Sequence, residues 1–280
     1  MKKTILVGID FSECSKNALS HAVSIAEKSE SKILMVWVNK YTNQPLLDKS
    51  LIISGARQNF DLLIKQHSEV IGEDNISYTI REGGVFDEIK KVCDETDPML
   101  VVIGTHGISG ISERWLGSNA YRLSLLLKTP VITIRNGIDI NKTLSTILLP
   151  IDSTVETRQK LPITATLAKY FNATIYILAL YTSDIDVVNA RIKNYVKQTA
   201  EYLAEYDINY IADELRTKDI ADDVVEYANR INANLISIMD EQEISLKNIF
   251  AGSNSLQIVT KSQCPVLISH SKNIYSTITQ

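Results

Sequence analysis

The sequence contains two copies of one pattern, and this repeat restricts the available folds more than any other feature. Residues Thr4–Asp10 match Thr146–Asp152, 142 residues further on, at five of seven positions. Gly117–Asn119 match Gly252–Asn254 at an offset of only 135, so seven residues are missing from the middle of the second copy. Self-similarity at such a long period predicts two domains with the same fold.

A polar stretch separates the two copies. Residues 135–142 include Gly137 and have the composition of a linker. We therefore predict domains at 1–140 and 141–280. The chain of 280 residues is 45% hydrophobic and 22% charged, which is enough apolar content for a sizeable core in each domain.

Short β-branched runs alternate with longer segments of helical period in both copies. This alternation is typical of an α/β fold, here two tandem open parallel five-stranded sheets with helices on both faces. The predicted strands are 3–9, 33–38, 75–81, 99–103, 130–135, 145–151, 173–180, 207–213, 235–239 and 265–269. The predicted helices are 14–29, 48–71, 86–96, 117–127, 155–171, 186–205, 219–232 and 252–262.

The charge balance and the cysteines narrow the function classes. The net charge is −4 with no run of five or six like charges, which argues against nucleic acid and anionic membranes as partners and favours small molecules or proteins. Three distant cysteines without CxxC spacing indicate neither disulfides nor a zinc site, at Cys14, Cys93 and Cys264. No apolar run suits a membrane span or a signal peptide, so we expect a cytoplasmic protein.

A glycine-rich segment follows the predicted strand 99–103. Ligands of open parallel sheets bind beyond the carboxyl ends of the strands. Three glycines and a serine in this segment have the spacing G-x2-G-x9-G-S, at Gly104, Gly107, Gly117 and Ser118. Glycines let backbone N–H groups approach an anion, and the last two residues open a predicted helix whose N-terminus attracts phosphate. We therefore predict a phosphate site, although neither G-x-G-x-x-G after the first strand nor a P-loop is present.

This spacing resembles the ATP-binding signature of the universal stress protein superfamily. The resemblance covers essentially the whole chain and includes Asp10 after the opening strand, Val38 at the end of the second strand, and Pro130 at the start of the last strand. The two copies resemble the tandem members of that family. The resemblance implies a Rossmann-like fold of the universal stress protein type and a stress-response regulator that binds ATP.

The resemblance also implies roles for individual residues. Asp10 and Val38 line the adenosine end of the site, Val38 through its backbone. The residues implied to surround the ribose and the phosphates are Gly104, Gly107, Gly117, Ser118 and Asn119, with Arg114 near the terminal phosphate. Mg²⁺ arrives with the nucleotide and keeps several of its waters.

Taken alone, the same residues leave alternatives open. Asp10 fits a turn or a helix cap as well as a ligand contact. Val38 fits a core position, and the glycine segment fits an ordinary connection between a strand and a helix. His106 has no nearby cysteine or carboxylate set, so neither a metal site nor a catalytic residue is predicted.

The second copy departs from the signature. Met239, Gln242 and Ser245 take the places of glycines in the first copy, and only Gly252 and Ser253 remain. Side chains therefore stand where close backbone approach is needed. We expect one ATP site per chain, in the first copy, with the second copy binding another ligand or serving as a dimerisation partner.

Three classes of function agree with the sequence. The first is ATP-dependent regulation through an unidentified protein partner. The second is a slow ATPase or phosphotransferase, with Ser118 as phosphoacceptor and Asp10 as base, although an acid–base pair with a positioned nucleophile is not apparent. The third is a scaffold whose nucleotide site is vestigial.

The last strand of each copy bears on assembly. Pro130–Arg135 and Pro265–Ser269 each begin with proline and are expected at a sheet edge, where an exposed strand needs a partner. By resemblance to the family's dimers, we expect the two strands to pair antiparallel, which makes the chain a covalent pseudo-dimer. Association of two chains into a homodimer stays open.

Overall fold

The computed structural model describes residues 2–40, 46–105, 118–135, 137–138, 143–239 and 253–270. The chain divides into two compact units, Met1–Ile140 and Asn141–Gln280, which we call unit 1 and unit 2. None of the helices in these described ranges combines the length and the apolar character that crossing a membrane requires.

Unit 1 is a five-stranded parallel sheet with helices on both faces. The strands β1 to β5 are Thr4–Gly8, Lys32–Asn39, Ile76–Glu82, Leu100–Gly104 and Val131–Ile134. The helices α1 to α4 are Glu13–Ser29, Leu46–Ile71, Val85–Thr96 and Ser118–Leu126. The strand order is β3-β2-β1-β4-β5, and every neighbouring pair is parallel.

The central strands of unit 1 are apolar at nearly every position because helices cover both faces of the sheet. Helix α1 packs on β4 and β5 and against α2. Helices α3 and α4 share the opposite face, where Val92 and Leu123 join one core cluster with Leu6, Val101 and Val131 of the strands. The predicted open parallel sheet with helices on both faces is therefore confirmed.

Unit 2 repeats this architecture. Its strands β6 to β10 are Thr146–Ile151, Thr174–Tyr181, Tyr210–Arg216, Leu235–Met239 and Val266–Ser269. Its helices α5 to α8 are Leu161–Phe171, Asp186–Glu205, Ile220–Arg230 and Asn254–Lys261. The strand order is β10-β9-β6-β7-β8, again parallel throughout. Helix α6 has 20 residues, whereas its counterpart α2 has 26. Most of the residues that the second copy lacks are therefore missing from this helix.

Two predicted elements of unit 2 begin later than expected. The helix predicted at 155–171 is a short 3-10 turn at Val155–Arg158 followed by α5 from Leu161. Pro162 explains the break, because its ring would clash with the carbonyl four residues earlier while proline is well tolerated in a first helical turn. The strand predicted at 207–213 is β8, and it starts after Asp207, whose φ of 55° places it in a turn.

Candidate functional site

The strand order of unit 1 creates a crevice at one edge of its sheet. The chain passes from β1 to β2 on one side and from β3 to β4 on the other, and ligands of such sheets bind where the order reverses, beyond the carboxyl ends. In the strand register Gly8 of β1 lies beside Val36 of β2 and Ile103 of β4. The residues that follow these positions therefore share one edge.

Three of the predicted site residues meet at this edge. Asp10 follows β1, Val38 is the penultimate residue of β2, and Gly104 ends β4. Ser118 and Asn119 are the first residues of α4. Gly107 and Gly117 lie outside the described residues, as do Arg114 and His106.

The Asp10 carboxylate organises the turn that leads into α1. Its Oδ1 atom accepts hydrogen bonds from the backbone N–H of Ser12 at 3.0 Å and from the Ser12 hydroxyl at 2.5 Å. Ser12 is the N-cap of α1, and its Oγ accepts from the N–H of Ser15 at 3.2 Å. Asp10 therefore has the turn role that the sequence left open, while Ser12 rather than Asp10 caps the helix.

The next residue, Phe11, fixes this turn from the other side. Its φ of 64° is in the left-handed region, which a bulky residue adopts at roughly 1–3 kcal/mol. The Phe11 ring lies 6.0 Å from Trp37 and 5.1 Å from the fully buried Phe60, which stacks on Tyr78. Aromatic packing therefore holds the backbone beside Asp10 in one conformation.

The Val38 side chain belongs to the core. It is partly buried and packs, with Leu34, Val85 and Phe86, against the cluster under α3 and α4. A core position is thus one role of Val38, as the residue type alone suggested. Only its backbone is left for the ligand contact that the family resemblance implies.

Gly104 is required by the packing of α1 on β4. A Cβ atom built on Gly104 would lie 2.9 Å from Cys14 Sγ, 3.0 Å from the Cys14 carbonyl carbon and 3.1 Å from its oxygen. Because two of these atoms are backbone, rotation of the Cys14 side chain could not make room. A glycine in the signature therefore has a steric reason that spacing alone did not reveal.

Unit 2 contains a second copy of the aspartate turn. Asp152 Oδ1 accepts from the N–H of Thr154 at 2.8 Å and from its hydroxyl at 2.6 Å. The Asp152 N–H donates to Thr157 Oγ1 at 3.2 Å, as that of Asp10 donates to Ser15 Oγ at 3.3 Å. The two carboxylates accept the same pair of hydrogen bonds, and threonine replaces serine at both supporting positions. Thr154, however, does not cap the following 3-10 turn with its side chain as Ser12 caps α1.

Strand β6, which leads to the second turn, stops pairing with β9 sooner than β1 does with β4 in unit 1. Pro150 occupies the position of Gly8, and proline has no N–H to donate to a neighbouring strand. The parallel pairing of β6 with β9 ends at Leu148, whereas that of β1 with β4 continues to Gly8. Met239 stands where Gly104 ends β4. Helix α5 begins at Leu161, whereas α1 begins at Glu13, whose counterpart in the repeat is Val155. The crevice of unit 2 therefore has different walls.

Sequence reasoning missed a buried lysine beside the second turn. Lys160 is 3% exposed, and its Nζ donates to the Thr157 carbonyl at 2.7 Å and to Thr157 Oγ1 at 3.3 Å. Burial lowers the pKa of Lys160 from its ordinary 10.5 to about 8, although the Asp152 carboxylate acts in the opposite direction. The repeat offset aligns Lys160 with Ala18. A charged residue in place of an apolar one was the feature of the sequence that could have indicated this buried lysine.

The serine of the signature has a structural role in unit 2. Ser253, the counterpart of Ser118, is the N-cap of α8, and its Oγ accepts from the N–H of Leu256 at 3.2 Å. The first turn of α8 also contacts β9, because the Ser255 hydroxyl donates to the Met239 carbonyl at 3.0 Å. Retention of the serine in the second copy is therefore accounted for by helix capping.

Together, the fold and the crevices define a class, a tandem Rossmann-like α/β protein with one switch point in each half. The chain belongs to the universal stress protein family, whose sequence profile matches residues 1–135 and again 143–270. The universal stress protein YxiE of Bacillus subtilis is 27% identical over 150 residues, which are 48% of this chain and all of that protein.

Solved structures agree with the fold over both units. A universal stress protein from Archaeoglobus fulgidus superposes with a TM-score of 0.75 at 16% identity, covering 97% of each chain. A universal stress protein crystallised in complex with cAMP aligns with 47% of this chain at 18% identity and a TM-score of 0.41. At 16% identity, the similarity to the Archaeoglobus fulgidus protein concerns the fold alone.

Proposed function

We propose that unit 1 binds ATP in the crevice between β1 and β4 and that the chain acts as a nucleotide-dependent regulator in a stress response. The convergence of Asp10, Val38 and Gly104 at the switch point of the sheet carries this proposal. The start of α4 at Ser118 supports it, because a helix N-terminus presents N–H groups to phosphate.

The residues present fit the parts of the nucleotide. The Asp10 carboxylate accepts hydrogen bonds from ribose hydroxyls or an amino group, and the Val38 backbone borders the base. The residues proposed for the ribose and the phosphates are Gly104, Gly107, Gly117, Ser118 and Asn119. ATP bound there brings its own Mg²⁺, since the cation prefers phosphate oxygens and waters to a dedicated protein cage.

For unit 2 we propose no ATP site. Met239 replaces the terminal glycine of the strand, Pro150 shortens the pairing behind the crevice, and Lys160 is buried beside the aspartate turn. The walls of a nucleotide crevice are therefore altered on both strands. One ATP per chain follows from the proposal.

Calorimetric titration of the full chain with ATP tests this, with two matched variants. Asp10→Asn and Asp152→Asn keep an Oδ1 acceptor for the same N–H and hydroxyl, so both turns should survive equally. We expect Asp10→Asn to weaken ATP binding about tenfold or more, through loss of charge-assisted hydrogen bonds. Asp152→Asn should leave the affinity within about twofold of the unsubstituted chain.

The number of ATP molecules bound per chain also tests whether the site lies in unit 1 alone. A value near one is expected, and a value of two would show that unit 2 also binds ATP. Equal sensitivity to the two substitutions would contradict the assignment of the site to unit 1. Failure of the unsubstituted chain to bind ATP, with no nucleotide released on denaturing extraction, would favour a scaffold.

A further inference from the structure

Unit 2 contains a polar cleft away from its switch point. The cleft has a volume of about 250 Å³ and lies where the carboxyl ends of β7 and β8 meet the first two turns of α6. The side chains that define its chemistry are Tyr181, Asp186, Asn189, Lys193, Glu214 and Arg216. We call this the α6–β8 cleft. Neither Asp152 nor Lys160 lines it, so it is separate from the crevice at the switch point.

The sequence periodicities of two elements place these side chains on one surface. Asp186, Asn189 and Lys193 are spaced by three and four residues, which puts them on one face of α6. Glu214 and Arg216 are two residues apart and therefore point to the same side of β8. The cleft is thus formed by regular elements, and strand β8 lies at the end of the strand order of this unit.

One acceptor in the cleft has no partner. The Asn189 Oδ1 atom is inaccessible to solvent and accepts no hydrogen bond from any described residue. A buried acceptor left in this state destabilises the folded chain, so native structures rarely retain one without a ligand or water. The Asn189 side chain lines the cleft, so a ligand N–H or O–H group would satisfy this acceptor once the amide turns toward the cleft.

The charges around the cleft balance. Asp186 and Glu214 supply two carboxylates, and Lys193 and Arg216 supply two cations. Lys193 forms no ion pair within the part of the chain that the structure describes. The contact of Arg216 Nη1 with Asp184 Oδ1, at 3.0 Å, is exposed on both sides and is weak for that reason.

Tyr181 lines the cleft and is only 7% exposed. Burial raises the pKa of Tyr181, and Glu214 raises it further, while Arg216 acts in the opposite direction. The Arg216 guanidinium also lies 5.7 Å from the centre of the Tyr181 ring. The hydroxyl therefore stays protonated at neutral pH and can donate to an acceptor on a ligand.

Unit 1 has an ion pair in the corresponding region. The strand register makes Glu82 of β3 the counterpart of Arg216. Glu82 pairs with Lys49 of α2 at 2.7 Å, which ties that helix to the edge strand. The exchange of Glu82 for Arg216 removes the acceptor for such a tie in unit 2. The two copies therefore differ in charge at this position of the edge strand.

We propose that the α6–β8 cleft binds a small zwitterionic metabolite of the amino-acid class. Its carboxylate lies toward Lys193 and Arg216, and its ammonium group toward Asn189 Oδ1 and the two acidic side chains. The balanced charges disfavour a nucleotide, whose phosphates would meet carboxylates, and the scarcity of apolar side chains disfavours a hydrophobic ligand. The proposal is independent of ATP binding in unit 1.

Ligand-observed NMR on the full chain tests the proposal. The probes are the standard amino acids, each at about 1 mM. Inorganic phosphate serves as a purely anionic control and ribose as an uncharged control, at the same concentration. We expect saturation transfer to one or more amino acids and none to phosphate or ribose. Binding of phosphate as strong as that of the amino acids would overturn the zwitterion assignment, and so would the absence of any amino-acid binding.

Two lysine variants locate the site. Lys193→Gln should weaken binding of the responding amino acid about tenfold, through loss of a charge-assisted hydrogen bond. Lys197→Gln makes the same change one turn further along α6, where Lys197 faces Glu201 at 3.8 Å, and should leave binding within about twofold. Equal effects of the two substitutions would overturn the location.

Asn189→Leu separates binding from folding. If the unpartnered amide is kept for a ligand, this variant should lose amino-acid binding while its thermal midpoint without ligand rises. ATP titration of the same variant should match that of the unsubstituted chain. Retained amino-acid binding in a folded Asn189→Leu variant would contradict the role given to the amide.

Discussion

Substitution of Lys160 by methionine is expected to abolish a pH dependence of stability in unit 2. The pKa of Lys160 is about 8 in the folded chain and 10.5 when exposed, so between these pH values the unfolded chain binds the extra proton. Stability due to this group therefore rises with pH, by about 3 kcal/mol from pH 8 to 10.5 at about 1.4 kcal/mol per pKa unit. Over this pH range, the free energy of unfolding of the unsubstituted chain should rise by about 3 kcal/mol relative to that of the Lys160→Met variant.

Urea unfolding at a series of pH values measures this difference. Circular dichroism follows both units, whereas fluorescence follows unit 1 because Trp37 and Trp115 both lie in it. The pH-dependent difference should therefore appear in the dichroism transition assigned to unit 2. Lys169→Met, at an exposed position of α5, is the matched control. A difference of the same size and pH dependence in both variants would contradict the assignment to Lys160.

Gly104→Ala is expected to destabilise unit 1 by about 1–3 kcal/mol and to weaken ATP binding as well. The added Cβ meets the Cys14 backbone at 3.0–3.1 Å, so α1 must move away from β4. Movement of α1 displaces the Asp10 turn, because Ser12 both caps the helix and donates to Asp10 Oδ1. Stability and affinity should therefore fall together.

Gly55→Ala provides the opposite control. Gly55 lies within α2, and a Cβ there would have no heavy atom within 4 Å. This variant should be stabilised by about 0.5–1 kcal/mol, because alanine favours a helix more than glycine does. Tryptophan fluorescence during urea unfolding and ATP calorimetry measure both variants. A Gly104→Ala chain as stable as the unsubstituted one would show that α1 yields without strain.

The fold could be predicted because its signals are local. Strand 235–239 and helix 186–205 were predicted with the bounds that the structure has, since apolar runs and helical periodicity extend over their full length. The helix predicted at 155–171 begins too early, because the helical periodicity continues through Pro162 although an α-helical backbone cannot. Strand β8 was misplaced because the turn at Asp207 has no glycine or proline to mark it.

The candidate site was less accessible to sequence reasoning. Spacing selected Gly104, but the contact that requires a glycine comes from Cys14, ninety residues earlier in the chain. The anchoring of Phe11 by Trp37 and Phe60 depends on three separate elements. Such contacts are set by tertiary packing, so a single sequence carries no direct sign of them. Lys160 was the exception, because the internal repeat aligns it with an alanine.

The aspartate turn has a consequence for how copies of this domain are counted. In both units the carboxylate accepts from the serine or threonine two residues later, and a helical segment follows, α1 in unit 1 and the 3-10 turn Val155–Arg158 in unit 2. Unit 2 keeps this turn although Met239 replaces Gly104 on the other strand. Selection for folding alone can preserve such a turn after duplication. A search pattern centred on this aspartate will therefore find domains reliably, yet it will overestimate nucleotide capacity wherever one copy has kept the turn and lost the rest of the signature.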